Sequence, residues 1–308
     1  MCGIFAIFGL PEPGVKWREE GLRMSKMLRH RGPDWNGIHC DKNCVIAHER
    51  LAIVGVSSGA QPIRNKESTL FLSVNGEIYN HLSIKESLIE SNPEFEKEFV
   101  SDSDCEPIMH LYKKYGADFM TKCEINGMYS FVLYDSISDT YVVARDPIGI
   151  IPLYVGYGKD GSVWFSSELK ALQEHCDNFE CFPPGSYKVG KSLDAGFNSE
   201  IKRFYTEPWF SDPHFSPTIS YDPFEFRKQM TDSVRRHLMA EVPYGVLLSG
   251  GLDSSVVAAI AAREYKALGN VDTMRSYCIG LKVSNIFNIY KIPVLRYQIY
   301  IFIICGYY

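Results

Sequence analysis

Met1-Cys2-Gly3-Ile4-Phe5-Ala6-Ile7-Phe8 opens the chain, and its reading decides the rest. Residues 4–8 form an apolar run of strand length, and two residues before it stands a cysteine that becomes the amino terminus once Met1 is removed. Such a residue carries nucleophile and base together. Its α-amine titrates at about 7.7–8.0, close enough to neutrality to take the proton of its own thiol. The competing reading makes Cys2 a small buried residue at a strand start, so the decision falls to the residues that accompany it.

Outward from this run, short apolar or alternating stretches at 45–54, 69–74, 129–134, 141–144, 162–165 and 185–189 predict further strands. Helices are predicted at 17–29, with Leu22, Met27 and Leu28 on one face, at 81–90, and at 106–115 behind a capping box Ser103-x-x-Glu106 and Pro107. Many strands with few helices predict an α+β domain of layered β-sheets with flanking helices over residues 1–205. Residues 206–222, with prolines at 208, 213 and 217 and another at 223, read as a linker. Beyond it the rhythm is α/β: a helix at 223–240 with Phe226, Met230, Val234 and Leu238 at a spacing of four, a strand at 244–248, a glycine turn, a helix at 254–268 and a strand at 276–280.

The 308 residues are 45% hydrophobic and 22% charged, a globular composition too apolar for disorder. Thirty-two Lys and Arg against 37 Asp and Glu leave a net charge of −5 and no basic block, which argues against a nucleic-acid partner. The nine cysteines are odd in number, no N-x-[ST] sequon occurs and no signal peptide is recognisable, which predicts a reducing, cytoplasmic compartment. Neither Cys40/Cys44 nor Cys176/Cys181 has zinc-ligand spacing, so no metal is assigned to them. The apolar run 297–308 is far shorter than the ~20 residues that span a bilayer, so no membrane anchor is expected. Residues 282–308 follow no helical or strand period and read as an aberrant apolar tail. Lys282-Val283-Ser284 can be encoded as a splice-donor-like sequence, so the tail from about 283 is read as translated intron, against a divergent natural terminus; sequencing the spliced transcript decides between them.

Three polar clusters bear on Cys2. Arg50 lies in a predicted strand, Asn75-Gly76-Glu77 in a polar turn after another, and Asp104 at a helix N-terminus. Together they suit glutamine: a guanidinium for the α-carboxylate, carboxylates for the α-ammonium, and an amide side chain with a glycine N–H for a tetrahedral oxyanion. Singly each is weak, since Asn-Gly is commonly a turn and an acid is common in a first helical turn.

MCGIFAIFG, RHRGPD (29–34), HERLAIV (48–54), NGEIYN (75–80), SDCE (103–106), ARDPIGIIPLY (144–154) and FSSELKAL (165–172) occur in this order and resemble the glutaminase domain of glutamine-hydrolysing asparagine synthetases. The resemblance covers about residues 1–281 and implies a class II amidotransferase of the N-terminal-nucleophile (Ntn) hydrolase fold. It implies that Cys2 attacks the glutamine amide, Asn75 and Gly76 form the oxyanion hole, and Arg50, Glu77 and Asp104 hold the amino-acid head. The backbone of Leu51, Ala52, Ile53 and Val54 would border that pocket.

Leu248-Ser249-Gly250-Gly251-Leu252-Asp253-Ser254-Ser255, between a predicted strand and an alanine-rich helix, is a phosphate cradle by composition: glycine N–H groups, three hydroxyls and a helix N-terminus. It resembles the pyrophosphate loop of ATP-pyrophosphatases, an α/β domain that is incomplete here over 223–281. The resemblance implies that Leu248 and Ile279 flank the adenine nucleotide and that Asp253 lies near magnesium and pyrophosphate, with ATP and Mg2+ required. Gly185 to Ser192 matches the Walker A pattern by letter, but Pro183-Pro184 precede it and no helix is expected after it, so it reads as a hairpin.

The implied activity is glutamine-dependent asparagine synthesis, in which aspartate and ATP give an aspartyl adenylate that ammonia then attacks. The synthetase half reads as truncated, so residues 222–308 are expected to be poorly stable, aggregation-prone and inactive as a synthetase. The alternatives are a stand-alone glutaminase, a silent isoform pairing with a full-length enzyme, or a β-lactam synthetase relative; as partners a second copy of the chain or the full-length enzyme is expected.

Overall fold

In chain order the first part of the protein contains β1 (Gly3–Phe8), α1 (Arg18–Lys26), β2 (Trp35–Asp41), β3 (Cys44–Arg50), β4 (Ile63–Arg64), β5 (Leu70–Ile78), α2 (His81–Ser91), α3 (Pro107–Tyr115), β6 (Gly127–Asp135), β7 (Thr140–Arg145), β8 (Tyr154–Gly158), β9 (Val163–Ser166), β10 (Cys176–Cys181), β11 (Ser186–Lys191) and β12 (Ile201–Arg203). These come from a computed structural model that describes residues 1–278 apart from 43, 194–198, 208, 210, 211, 213, 215, 217–219 and 271–273. The chain divides into two compact units at residues 215/216, inside the proline-rich stretch.

The strands of the first unit form two six-stranded sheets, ordered β10-β8-β9-β1-β3-β2 and β12-β11-β7-β6-β5-β4, antiparallel throughout. Their layering follows from the two-residue period of β1. Ile4, Ala6 and Phe8 join Cys44, Ile46, Phe71, Val132, Tyr134 and Val143 in a fully buried layer between the sheets, where Phe8 stacks on Tyr141 at 4.2 Å. Phe5 and Ile7 face the other way and pack with Met24 and Leu28 under α1. On the far face of the second sheet Leu72, Val74 and Ile78 pack against Ile84 and Leu88 of α2 and Ile108 and Met109 of α3. The result is the layered α+β architecture of an N-terminal-nucleophile fold, with helices outside two stacked sheets.

Several local expectations need correction. The first helix begins at Arg18 after a 3-10 turn, and its buried face is Gly21, Met24 and Ser25 followed by Leu28, with Leu22 only half-buried. β3 stops at Arg50, so 51–54 are loop, while β5 runs on through Ile78, so Asn75-Gly76-Glu77 lie in a strand and not in a turn. The expected capping box does not form: Glu106 reaches back to the N–H groups of Val100 and Ser101, both at 2.7 Å, and the Ser103 hydroxyl accepts from Cys105. The Walker-like stretch is β11, antiparallel to the edge strand β12 on one side and to β7 on the other.

In the second unit α4 (Pro223–Arg236), β13 (Gly245–Leu247), α5 (Leu252–Ala267) and β14 (Arg275–Tyr277) are described, with β13 and β14 parallel. Asp222 caps α4 by accepting from Phe224 N–H at 2.8 Å, with Pro223 at the first helical position. Leu238, Ala261 and Met274 form a small core with Val234 and Tyr265. Phe226, expected on the buried stripe, is 59% exposed, because that core reaches only the last turn of α4. Ile279 and the tail 282–308 lie outside the described residues.

Candidate functional site

Cys2 stands one residue before β1, and the pairing of Gly3 with Glu49 sets it beside Arg50 at the end of β3. It is nearly buried, and its Sγ accepts the Leu51 N–H at 3.3 Å while donating to the Leu51 carbonyl at 3.6 Å. Burial pushes the thiol up; the Leu51 backbone, the amino terminus and the guanidiniums of Arg50 and Arg31 act the other way. Burial also lowers the Met1 α-amine, to about 6, so the terminus is largely neutral at pH 7.

The carbonyl of Cys2 accepts from Arg31 Nε at 2.9 Å, and Arg31 is itself held by Glu168 at 3.0 Å. Burial would raise the Glu168 carboxyl, but hydrogen bonds from Lys170, Arg31 and His30 bring it down to about 2. Within RHRGPD (29–34) Arg31 carries no local signal of this role beyond its place in a His-Arg-Gly-Pro sequence. Asp34, from the same turn, accepts from Ala52 N–H at 3.0 Å and so ties down the loop beside Cys2.

Arg50 ends β3, and its guanidinium donates to the carbonyls of Gly55 at 2.7 Å, Val56 at 3.2 Å and Val54 at 3.4 Å. Ile53 lies in the same half-buried loop. On β5 the side chains alternate, so Phe71, Ser73, Asn75 and Glu77 face the first sheet. A hydrogen bond of 2.9 Å between His48 Nδ1 and Ser73 Oγ crosses the gap. Burial, with Arg50 nearby, lowers the His48 imidazole to about 3, which leaves it neutral.

Asn75 is completely buried, and neither its Nδ2 nor its Oδ1 has a hydrogen-bond partner among the described residues. Gly76 has φ +147°, and a β-carbon there would meet the Met128 carbonyl oxygen at 2.0 Å, so the approach of β6 already demands glycine. Glu77 is pushed up to about 7 by burial and by the Asp104 carboxylate. Asp104, raised by burial, accepts from Ile78 N–H at 2.7 Å. Cys2, Arg50, Glu77 and Asp104 therefore converge at one end of the inter-sheet layer, close enough for their charges to act on one another.

In the second unit Leu248 N–H donates to the Tyr277 carbonyl at 2.9 Å, and the turn 249–251 leads into α5. Ser249 and Ser254 hydroxyls lie 2.9 Å apart, while Ser254 and Ser255 donate to the Gly251 carbonyl at 3.2 and 2.7 Å. Gly250 and Asp253 are exposed on this turn and the first helical turn. Glu20, Glu174 and His175 form the one cluster of metal-ligating side chains among the described residues, but Arg23 lies at 2.5 Å from both carboxylates and supplies the cation itself.

Comparison with known proteins agrees with this geometry. The glutamine amidotransferase domain family matches residues 1–182, and the asparagine synthase family matches 225–286. Asparagine synthetase [glutamine-hydrolyzing] 3 of Arabidopsis thaliana is 45% identical over 288 residues, which are 92% of this chain and 47% of that protein. The Zea mays asparagine synthetase is 45% identical over 290 residues, covering 92% and 46%. The chain thus spans about half the length of the curated relatives it matches. Among solved structures, glutamine phosphoribosylpyrophosphate amidotransferase from B. subtilis superposes with a TM-score of 0.53 at 20% identity, over 96% of this chain and 71% of that one. That likeness speaks for the fold alone. No helix among the described residues is long and apolar enough to cross a membrane. With a cysteine at position 2, stacked sheets and matched sequence, the chain belongs to the glutamine amidotransferase family and carries after that domain a segment that matches the asparagine synthase family.

Proposed function

We propose that the first unit hydrolyses glutamine through Cys2, freed by removal of Met1, and that it serves glutamine-dependent asparagine synthesis from aspartate and ATP. In this reading Arg50 binds the α-carboxylate and Glu77 with Asp104 the α-ammonium. The Cys2 thiol proton passes to its own α-amine as Sγ bonds to the amide carbon. The oxyanion so formed accepts from Asn75 Nδ2 and the Gly76 N–H. On collapse the C–N bond breaks, the amine returns its proton to the departing nitrogen, and ammonia leaves a thioester that water cleaves to glutamate and thiol.

The observation that supports this most is Asn75, a buried amide that has no partner among the described residues, on the face turned toward the Cys2 sheet. An unpartnered buried amide costs about 1–3 kcal/mol, a cost that an oxyanion ligand would offset. Leu51 to Val54 border the same pocket, three of them already bonded, Leu51 to Cys2, Ala52 to Asp34 and Val54 to Arg50.

In the second unit Ser249, Gly250, Gly251, Ser254 and Ser255 would cradle the phosphates of ATP, with Leu248 and Ile279 beside the adenine. Asp253 is an exposed carboxylate at that turn and fits a magnesium ion held mainly by phosphate oxygens, whose charge would stabilise departing pyrophosphate. A cytoplasmic site of action accords with the nine cysteines.

The test is glutamate release from glutamine by the whole chain, beside a Cys2→Ala variant. Release by the parent and none by the variant is expected, with diazo-oxo-norleucine alkylating Cys2. An unmodified Cys2 in folded protein sinks the glutaminase reading. Asparagine formed from aspartate, ATP and ammonium tests the second unit separately.

A further inference from the structure

We propose that Ser58 and Asp102, which lie outside the catalytic cluster, form a clasp that sets the spacing between the two halves of the amino-acid cradle and so determine selectivity for an α-amino-acid head. The inference rests on the glutaminase reading and deepens it. An α-carboxylate and an α-ammonium share one carbon, so the cations and anions that bind them must keep a fixed separation. Here those groups come from unrelated segments: Arg50 ends β3, and Asp104 lies just before α3.

What joins them is the strap 54–59. The Arg50 guanidinium is bonded to the strap carbonyls of Val54, Gly55 and Val56, and the strap closes on itself through the Gly59 N–H on the Gly55 carbonyl at 2.7 Å. Its other side meets the segment that carries Asp104. The Asp102 N–H donates to Ser58 Oγ at 3.0 Å, and Ser58 Oγ donates to Asp102 Oδ2 at 3.1 Å, a reciprocal pair. Contact is tightest at two glycines. A β-carbon on Gly55 would sit 2.8 Å from Ser103 N, and one on Gly59 would sit 2.8 Å from Arg50 Nη2 and 3.3 Å from Ser103 Cβ. From behind, Glu106 holds the same segment by the Val100 and Ser101 N–H groups.

Asp102 is two residues from Asp104, and the strap is one bond from the Arg50 guanidinium, so freeing Ser58 from Asp102 loosens the two ends relative to each other. Neither residue is core: Asp102 is exposed and Ser58 half-buried. Their substitution therefore leaves both sheets intact, which separates positioning from folding. Ser58 and Asp102 act through Arg50 and Asp104 and are positioning residues.

The experiment uses the whole chain as parent, Ser58→Ala, Asp102→Ala, the double variant and Ser58→Thr. KM and kcat for glutamate release are measured, with the rates at which Cys2 is alkylated by diazo-oxo-norleucine, which has the amino-acid head, and by iodoacetamide, which does not. Ser58→Ala raises KM about three- to tenfold with kcat within about twofold, and slows diazo-oxo-norleucine by a matching factor while iodoacetamide is unchanged. The double variant is no worse than Ser58→Ala, and Ser58→Thr, which keeps the hydroxyl, restores the parent values. A parent labelled at Cys2 with Ser58→Ala indistinguishable from it overturns the clasp alone, as does an equal slowing by both reagents. A parent that is neither labelled nor active overturns the glutaminase reading and the clasp with it.

Discussion

Replacing Glu77 by glutamine tests whether this carboxylate holds the substrate ammonium, and the structure sets the size of the effect. Burial first, and the neighbouring Asp104 second, bring Glu77 to about 7 from an ordinary 4.5. Only the ionised form attracts an ammonium, so in the free enzyme the competent fraction falls from about nine-tenths at pH 8 to about one-tenth at pH 6. KM for glutamine should then rise about tenfold between these values in the parent. Glu77→Gln should start with the higher KM at pH 8 and lose the slope. The α-amine of a terminal Cys2, ordinarily near 8, is common to both proteins, so its contribution cancels in the ratio of their profiles. The same shift has a signature in stability. A carboxyl whose folded value is raised contributes stability that is complete below its ordinary 4.5 and lost as pH rises through about 7. The cost at pH 8 is on the order of 1–3 kcal/mol, so Glu77→Gln should melt several degrees above the parent at pH 8 and with it at pH 4. Parallel KM profiles in the two proteins, or a variant less stable at pH 8, would refute the assignment.

Asn75→Ala should lower kcat for glutamate release by about 10²–10³-fold with KM within about threefold, and its melting temperature should not fall, since the amide it removes makes no bond among the described residues. Gly76→Ala drives a β-carbon to 2.0 Å from the Met128 carbonyl, so the β5–β6 pair must part; thermal unfolding should show a loss above about 3 kcal/mol or no folded protein at all. Asp222→Ala removes the cap of α4 and should cost about 1 kcal/mol, read as about fivefold faster amide exchange in that helix with glutamate release untouched.

The strands were legible as short apolar runs: β1 and the first half of β3, buried on both faces, read as near-continuous apolar stretches. What failed was local. Asn75-Gly76 carries the strongest short turn signal there is, yet it lies mid-strand, because Gly76 is needed for the approach of β6 and Asn75 is buried between sheets. The Ser103-x-x-Glu106 spacing was right for a capping box, but Glu106 found two free N–H groups upstream at Val100 and Ser101. Arg31 was beyond reach for a different reason: its contacts are with Cys2, 29 residues away, and Glu168, 137 away, and no local pattern encodes them. In the second unit a period of four placed Phe226 on a buried stripe, but a stripe is buried only where something covers it.

The site lies where it does because three strands change character in step. Facing the gap between the sheets, β5 reads Phe71, Ser73, Asn75, Glu77, and β3 reads Cys44, Ile46, His48, Arg50. β1 is antiparallel to β3 and, read backwards, gives Phe8, Ala6, Ile4 and then Cys2. At one end these rows make a dry core of Phe8, Cys44 and Phe71. Further along, His48 of β3 bonds to Ser73 of β5, and six residues from the dry end on each strand stand the thiol, the guanidinium and the carboxylate. A low-dielectric core directly beneath the charges is what raises Glu77 and the Cys2 thiol and lowers the terminal amine. All three shifts favour the neutral form, so the free pocket holds fewer charges than its composition suggests. A zwitterionic amino acid entering it would bring the opposite charges that make ionisation of Glu77 favourable, and the pocket would charge as it fills. Proton uptake or release on binding a glutamine analogue, followed by calorimetry in buffers of different ionisation enthalpy, would register that step: at pH 6.5 Glu77 should release about three-quarters of a proton as it binds, and Glu77→Gln correspondingly less.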